Sequence, residues 1–437
     1  MLDESLLDAP EALARADTRG LLRGAAESGA RVRTAARHAA DVGIGQLKPD
    51  GRPRAVLVAG PGAAGSCTAD VLAALSGSHC PISLIAPTGV APAPGALRWT
   101  LPGWAGPLDL VLLVSPDGTE PGLPLLVEQA YRRGCSLVAV APAGSPLTEA
   151  VSQARGLTVP LATAPYDTAA YGTAPYDPAH GPAPVGAAGA SPDSLYGPYD
   201  TGALSSGVGG AHSAETTARH TEPLGTAPGE TTGPALPGTL WALLTPLLAL
   251  VDRIGLIAAP PSVLDQVADR LDRVAERCGP AIATYTNPAK TLAAELAGAL
   301  PLVWTEGPVA GAAGRRFAGL LAAVAGRPAL TGELPGAIAA HGALLTSAFA
   351  GGGNPDDFFR DRVEEPEALR ARIVLLRDDQ ETPTSAAPTS REFALAHDTA
   401  ISELEPADGS PLEKAAELLA ITDFAAVYLA LASAERS

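Results

Sequence analysis

Leu108 to Leu126 reads LDLVLLVSPDGTEPGLPLL. It opens with an apolar run from Leu108 to Val114, interrupted only by Asp109, and turns through Ser115-Pro116-Asp117-Gly118-Thr119-Glu120. An apolar pattern then resumes at Leu123, Leu125, Leu126 and Tyr131. A continuous run of this kind is the pattern of a strand buried on both faces, as in a parallel sheet. Glu120 and Pro121 suit the first turn of a helix, where a missing N–H costs nothing and a carboxylate meets the positive end of the dipole. Backbone amides at such a junction point outward and can hold an anion.

The neighbouring sequence repeats the alternation. Arg54 to Ala59 (RAVLVA) reads as a strand, followed by a glycine turn, Gly60 to Ser66, and an Ala/Leu-rich helix to Leu75. Ile82 to Ala86 and Ser136 to Ala141 read as further strands, with a helix from Pro146 to Ala154. Strands alternating with helices predict βαβ units and a parallel sheet. Residues 1–50 are helical in pattern, with Asp3, Asp8 or Asp17 as caps. Residues 51–162 form the first α/β unit.

From 163 to 237 the composition shifts to Ala, Pro, Gly, Thr and Ser, and Ala-Pro-Tyr-Asp occurs at 164–167 and 174–177. So little apolar side chain cannot offset the entropy of ordering, so a disordered insertion is expected, with His180, His212 and His220 inside it. Residues 238–437 return to order. Thr239 can cap a helix; Ser262 to Arg277 is amphipathic; Pro301 to Thr305 and Ile373 to Arg377 read as strands. Glu306 to Gly314 reads as a loop, Arg315 to Val324 and Leu330 to Leu345 as helix, and Phe393 to Glu403 as a strand. The last helix, Pro411 to Ala432, is apolar on most sides and expected to be buried.

Composition excludes several classes. A net charge of −17 argues against nucleic acid and anionic membrane surfaces as partners. The acidic start is unlike a secretory signal, and the apolar run Leu240 to Val251 is about half of what a bilayer needs. Cys67, Cys80, Cys135 and Cys278 form no CxxC pair and have no histidines at ligand spacing, which predicts reduced thiols, a cytoplasmic location and no metal site. Gly60, Gly62 and Gly65 match the Gly-x-Gly-x-x-Gly spacing of a dinucleotide loop, but the second strand ends in Ala86-Pro87-Thr88 without the acidic residue that binds ribose. No cofactor is expected.

Strand, then Ser115-x-Asp117-Gly118-Thr119-Glu120, then helix resembles the Ser-x-Ser-Gly-Asn-Thr phosphate loop of SIS (sugar isomerase) domains. Gly60 and Gly62 are similar to the Gly-Met-Gly-Gly-Ser loop of the family's phosphoglucose/phosphomannose isomerase branch, with Ser66 two places beyond its serine position. Asn287-Pro288-Ala289-Lys290, Pro301-Leu-Val-Trp304, Arg316-Phe317, Leu334-Pro335, the strand Ile373 to Asp378, and Asp423-Phe-Ala-Ala-Val-Tyr428-Leu-Ala resemble that branch's motifs in order and spacing. The resemblance implies an α/β chain of two SIS subdomains, each a doubly wound, flavodoxin-like parallel sheet flanked by helices, in a homodimer. It also implies a phosphosugar or other carbohydrate derivative bound between the subdomains, and aldose–ketose isomerisation of glucose 6-phosphate or mannose 6-phosphate. Gly60, Gly62, Ser66, Ser115, Asp117, Gly118, Thr119 and Glu120 are then the expected ligand contacts.

That chemistry needs a base to carry a proton between C1 and C2 and a group to open the ring. The family's Asn-Glu-Asn frame falls on Ala322-Ala323-Val324, and its histidine falls on Ala339. The family's terminal Thr and Lys segment and its Arg near residue 162 have no counterpart. Asp117 and Glu120 stand where hydroxyls bind phosphate, and carboxylates there repel a dianion. His341 and Glu306 remain as replacement ring opener and base, His341 more simply a half-exposed helix residue and Glu306 a solvated one; Arg315 and Arg316 could neutralise a phosphate. Two readings follow: a working isomerase with rearranged residues, or a catalytically degenerate, regulatory member of the family. The chemistry favours the second.

Overall fold

The computed structural model describes residues 4–47, 51–90, 97–161, 236–346, 370–379 and 383–433. The insertion expected over 163–237, up to residue 235, and its histidines lie outside the described residues. The first half carries β1 (Ala55–Ala59), β2 (Ile82–Leu84), β3 (Gly89–Val90), β4 (Leu97–Arg98), β5 (Asp109–Val114), β6 (Ser136–Ala141) and β7 (Leu157–Pro160). All but β3 and β4, a small antiparallel pair, form one parallel sheet in the order β2-β1-β5-β6-β7. The second half carries β8 (Ala299–Glu306), β9 (Leu330–Glu333), β10 (Arg370–Arg377) and β11 (Ala400–Leu404), parallel in the order β11-β10-β8-β9. This is the expected α/β architecture of two doubly wound subdomains.

Strand periodicity explains the layers. Successive side chains point to opposite faces, so each buried strand feeds two cores. Val56 and Val58, Leu110 and Leu112, and Val138 and Val140 enter a central core, as do Val303, Val374 and Leu376 from the second sheet. Leu57, Val111, Leu113 and Ala139 face the opposite way, against the helices Gly122–Arg132 and Pro146–Gln153. Leu302, Trp304, Ile373 and Leu375 likewise face the helices Gly336–Leu345 and Ala387–Ala396. The central core is therefore shared by both subdomains. Its helices include Gly62–Ser76, Thr239–Arg253, Pro308–Ala325 and Pro411–Ser433. Pro411–Ser433 is long and apolar enough to cross a membrane, but 94% of that stretch is buried within the fold.

The motif Asn287-Pro288-Ala289-Lys290 has a structural explanation. Asn287 Oδ1 caps the helix Pro288–Glu295, accepting the Ala289 and Lys290 amides at 3.1 Å each. Pro288 takes the first helical position, where it loses no hydrogen bond. Lys290 is fully buried and donates through Nζ to the carbonyls of Pro280 (2.8 Å) and Ile282 (2.7 Å). Its ammonium lies over the ring of Tyr428, whose hydroxyl donates to the Cys278 carbonyl at 2.6 Å. The motif thus ties one loop to the central helix.

Several expectations are corrected. Residues 308–314 begin the helix Pro308–Ala325 rather than a loop, because Pro308 starts it and Gly307 supplies φ +101 ahead of it. Leu330–Glu333 is an edge strand, not helix. Phe393 lies in the helix Ala387–Ala396, and only Ala400–Leu404 is strand. Short apolar runs carry no period that separates these states, so neighbouring strands decide. Thr239 does not cap: Gly238 holds that position, and the Thr239 hydroxyl is buried without a partner among the described residues. Asp17 caps as expected, accepting the Leu21 and Leu22 amides at 2.6 and 2.8 Å, whereas Asp8 binds distant Thr284.

Candidate functional site

β5 ends at Val114 and delivers Ser115, buried, into the turn before the helix Gly122–Arg132. The turn closes on itself. Ser115 Oγ accepts the Gly118 amide at 2.9 Å and donates to Asp117 Oδ1 at 3.1 Å. Asp117 Oδ1 also accepts the Thr119 amide at 3.0 Å. Glu120 Oε1 accepts the Gly122 amide at 3.0 Å and the Leu97 amide of β4 at 2.9 Å. Gly118 has φ +69, and a Cβ on it would sit 2.3 Å from Ser145 Oγ, so only glycine passes there. Three amides of the turn are thus taken by the chain's own side chains, Gly118 by a hydroxyl and Thr119 and Gly122 by carboxylates that fold back onto the loop.

The glycine turn after β1 lies beside this loop. A Cβ on Gly60 would be 2.4 Å from the Val114 carbonyl, immediately before Ser115, and one on Gly65 would be 2.7 Å from the Gly60 carbonyl. These glycines allow close packing of strand ends and helix. Gly62, φ +52, starts the helix Gly62–Ser76, and Ser66 is half-buried within it. The fold therefore brings the Gly60 and Ser115 loops together through Val114.

The second subdomain repeats the device with other residues. Asp378, directly after β10, accepts the Val309 amide at 2.9 Å through Oδ2 and the Ala310 amide through Oδ1. It caps the helix Pro308–Ala325, and a Cβ on Gly307 would lie 2.3 Å from its Oδ2. Burial pushes its carboxyl above the ordinary range. Sequence reasoning missed Asp378 as a site residue; the signal was an acid at a strand end facing a Gly-Pro helix start. Glu306, at the end of β8, is half-buried. Its carboxylate accepts Ser385 Oγ at 2.7 Å and the Ala386 amide at 2.6 Å, fastening the start of the helix Ala387–Ala396.

His341 also changes role. It is buried rather than half-exposed, and its Nδ1 accepts Trp304 Nε1–H at 2.9 Å, which leaves the ring proton on Nε2. Burial lowers its pKa. Ala339 is exposed, and two residues along a helix turn the side chain by about 200°. His341 therefore points into the core, away from the face that Ala339 presents. The two arginines differ: Arg316 is closed off, while Arg315 is exposed and bridges two acids. Arg316 is buried and chelates Asp423 through Nε (2.8 Å) and Nη2 (2.7 Å). Arg315 joins Asp70 of the first subdomain at 2.9 Å to Glu333 of the second at 3.1 Å. Ala322 and Ala323 are exposed on the last turns of the same helix. Among the described residues no cluster of His, Cys, Asp and Glu could hold a metal.

Residues 285–434 match the bacterial phospho-glucose isomerase C-terminal SIS domain. In those residues the chain carries a SIS domain of the phosphoglucose isomerase type. In fold, the chain is similar to a candidate phosphosugar isomerase from Silicibacter pomeroyi, with a TM-score of 0.52, 14% identity, and 95% of this chain and 98% of that one covered. It is also similar to a hypothetical protein from Thermus thermophilus, with a TM-score of 0.53, 13% identity, and 98% and 89% covered. The C-terminal domain of glucosamine-fructose-6-phosphate aminotransferase from Francisella tularensis gives a TM-score of 0.50, 8% identity, and 94% and 96% covered. At these identities the likeness is one of fold. No curated protein matches the chain in sequence.

Proposed function

We propose that this SIS protein does not isomerise phosphosugars and acts instead as a regulatory protein that binds a carbohydrate derivative or a partner. The reading rests on one observation: its own carboxylates occupy the amides at the strand-end turns. Asp117 and Glu120 do so in the first subdomain, and Asp378 does so in the second. A phosphate would have to displace a tethered carboxylate whose effective concentration is far higher, and would meet its charge as well. The proton-transfer groups are spent too. Both oxygens of Glu306 accept hydrogen bonds from one turn, and His341 is neutral in a core. In keeping with the resemblance, the reading includes a cytoplasmic homodimer, which sedimentation equilibrium tests.

The test of function is a coupled assay for interconversion of glucose 6-phosphate, mannose 6-phosphate and fructose 6-phosphate on purified protein, with melting curves in the presence of each. The expected result is no turnover and no rise in Tm. Turnover that is lost in Glu306→Gln would overturn the proposal and establish an isomerase with a relocated base.

A further inference from the structure

Away from the strand-end loops, three helices converge on a cavity of about 780 Å3: Ser28–Asp41, Thr239–Arg253 and Pro261–Arg277. Ser28–Asp41 and Pro261–Arg277 are zipped at one end by Arg33, whose guanidinium reaches Asp269 at 2.6 Å and Asp272 at 2.7 Å. One turn further on the zip opens. Arg37 and Asp265 both line the cavity, yet among the described residues they form no ion pair. The space exists because the facing side chains are short: Ala36, Ala39, Ala249 and Ala259 line it, with Ile44 and Leu264 beneath.

The rim carries both signs, Arg37 and Arg253 beside Asp252 and Asp265. Arg37 gives one N–H to Thr34 Oγ1 at 3.2 Å, and Arg253 gives its Nε–H to the Leu47 carbonyl at 2.7 Å; both side chains are exposed, with N–H groups to spare. Asp252 is already engaged by the Ala259 amide at 2.8 Å, which leaves Asp265, among the described residues, as the one unspent carboxylate in the lining. Two available guanidiniums around an apolar floor match a ligand with one negative group on an apolar body. The volume lies within the roughly 300–1,000 Å3 typical of pockets that enclose small organic ligands.

We propose that this cavity is a binding site for a small amphipathic anion, its apolar body against the alanine floor and its acid group between Arg37 and Arg253. The site is separate from the turns discussed above, so it stands whether or not the protein turns over phosphosugars.

The probe is 8-anilinonaphthalene-1-sulfonate, titrated into the full-length folded protein and followed by fluorescence and calorimetry. One saturable site is expected. Arg37→Glu should weaken binding at least tenfold, and Ala36→Trp should abolish it by filling the floor, with melting curves unchanged. Should Ala36→Trp fail to fold, Ala40→Trp on the exposed rim gives the same reading. Binding that does not saturate, or that survives both tryptophan variants, would overturn the proposal. So would a wild-type dimer that dissociates on Arg37→Glu in size-exclusion light scattering, since the cavity would then be an interface between two copies.

Discussion

His341 illustrates how one residue's environment decides its chemistry. Buried against Trp304, it stays neutral in the fold, because protonation would strip a charge of water and set an N–H against the indole N–H. Its folded pKa lies below the ordinary 6.5, so the unfolded chain binds the proton first. Its contribution to stability is therefore complete above pH 6.5 and declines as pH falls from there towards the folded value. Urea midpoints at pH 7.5 and 5.5 should show that loss in the native protein and a smaller one in His341→Gln, whose amide oxygen can still accept from Trp304. An equal loss in both would place the titration on another group. A ring opener exposed to substrate would show no such coupling to stability.

At the scale of elements, the helix Pro308–Ala325 carries most of what the family comparison asks about. Its start is capped by Asp378, its middle is pinned by Arg316, and its end holds Ala322 and Ala323 where the resemblance places a base. Arg316 and Asp423 are both buried, so removing one leaves an uncompensated charge in the core. Arg316→Met should cost about 3–5 kcal/mol of unfolding free energy, and Arg316→Met with Asp423→Leu should recover much of it. Urea denaturation of the single and double variants checks this. A single variant within about 0.5 kcal/mol of native stability would reopen Arg316 as a ligand group. The pattern of buried strands was legible here, since β5, β6, β8 and β10 are long and apolar. The start of Pro308–Ala325 was not, because its Ala/Gly run has too little side chain to mark a period, and neither was β9, four residues with a single large apolar side chain.

For the whole molecule, the shared central core makes the two subdomains one thermodynamic body. Val56 and Leu112 of one sheet and Val303 and Val374 of the other enter the same cluster as the buried helix Pro411–Ser433. Heating should therefore give a single calorimetric transition with matching calorimetric and van't Hoff enthalpies. Two resolved transitions would show that each sheet keeps a core of its own. The sequence by itself determined the alternation of strand and helix, the parallel sheets and the motifs shared with SIS domains, because these depend on local period and on residues close together in the chain. It also brought Ser115, Asp117 and Glu120 to notice. Only the tertiary structure decided what those groups do. Asp117 turns back on an amide two residues away through the loop's backbone conformation, while Glu120, Asp378 and His341 are held by Leu97, Val309 and Trp304, partners 23 to 69 residues distant, to which a linear pattern is blind.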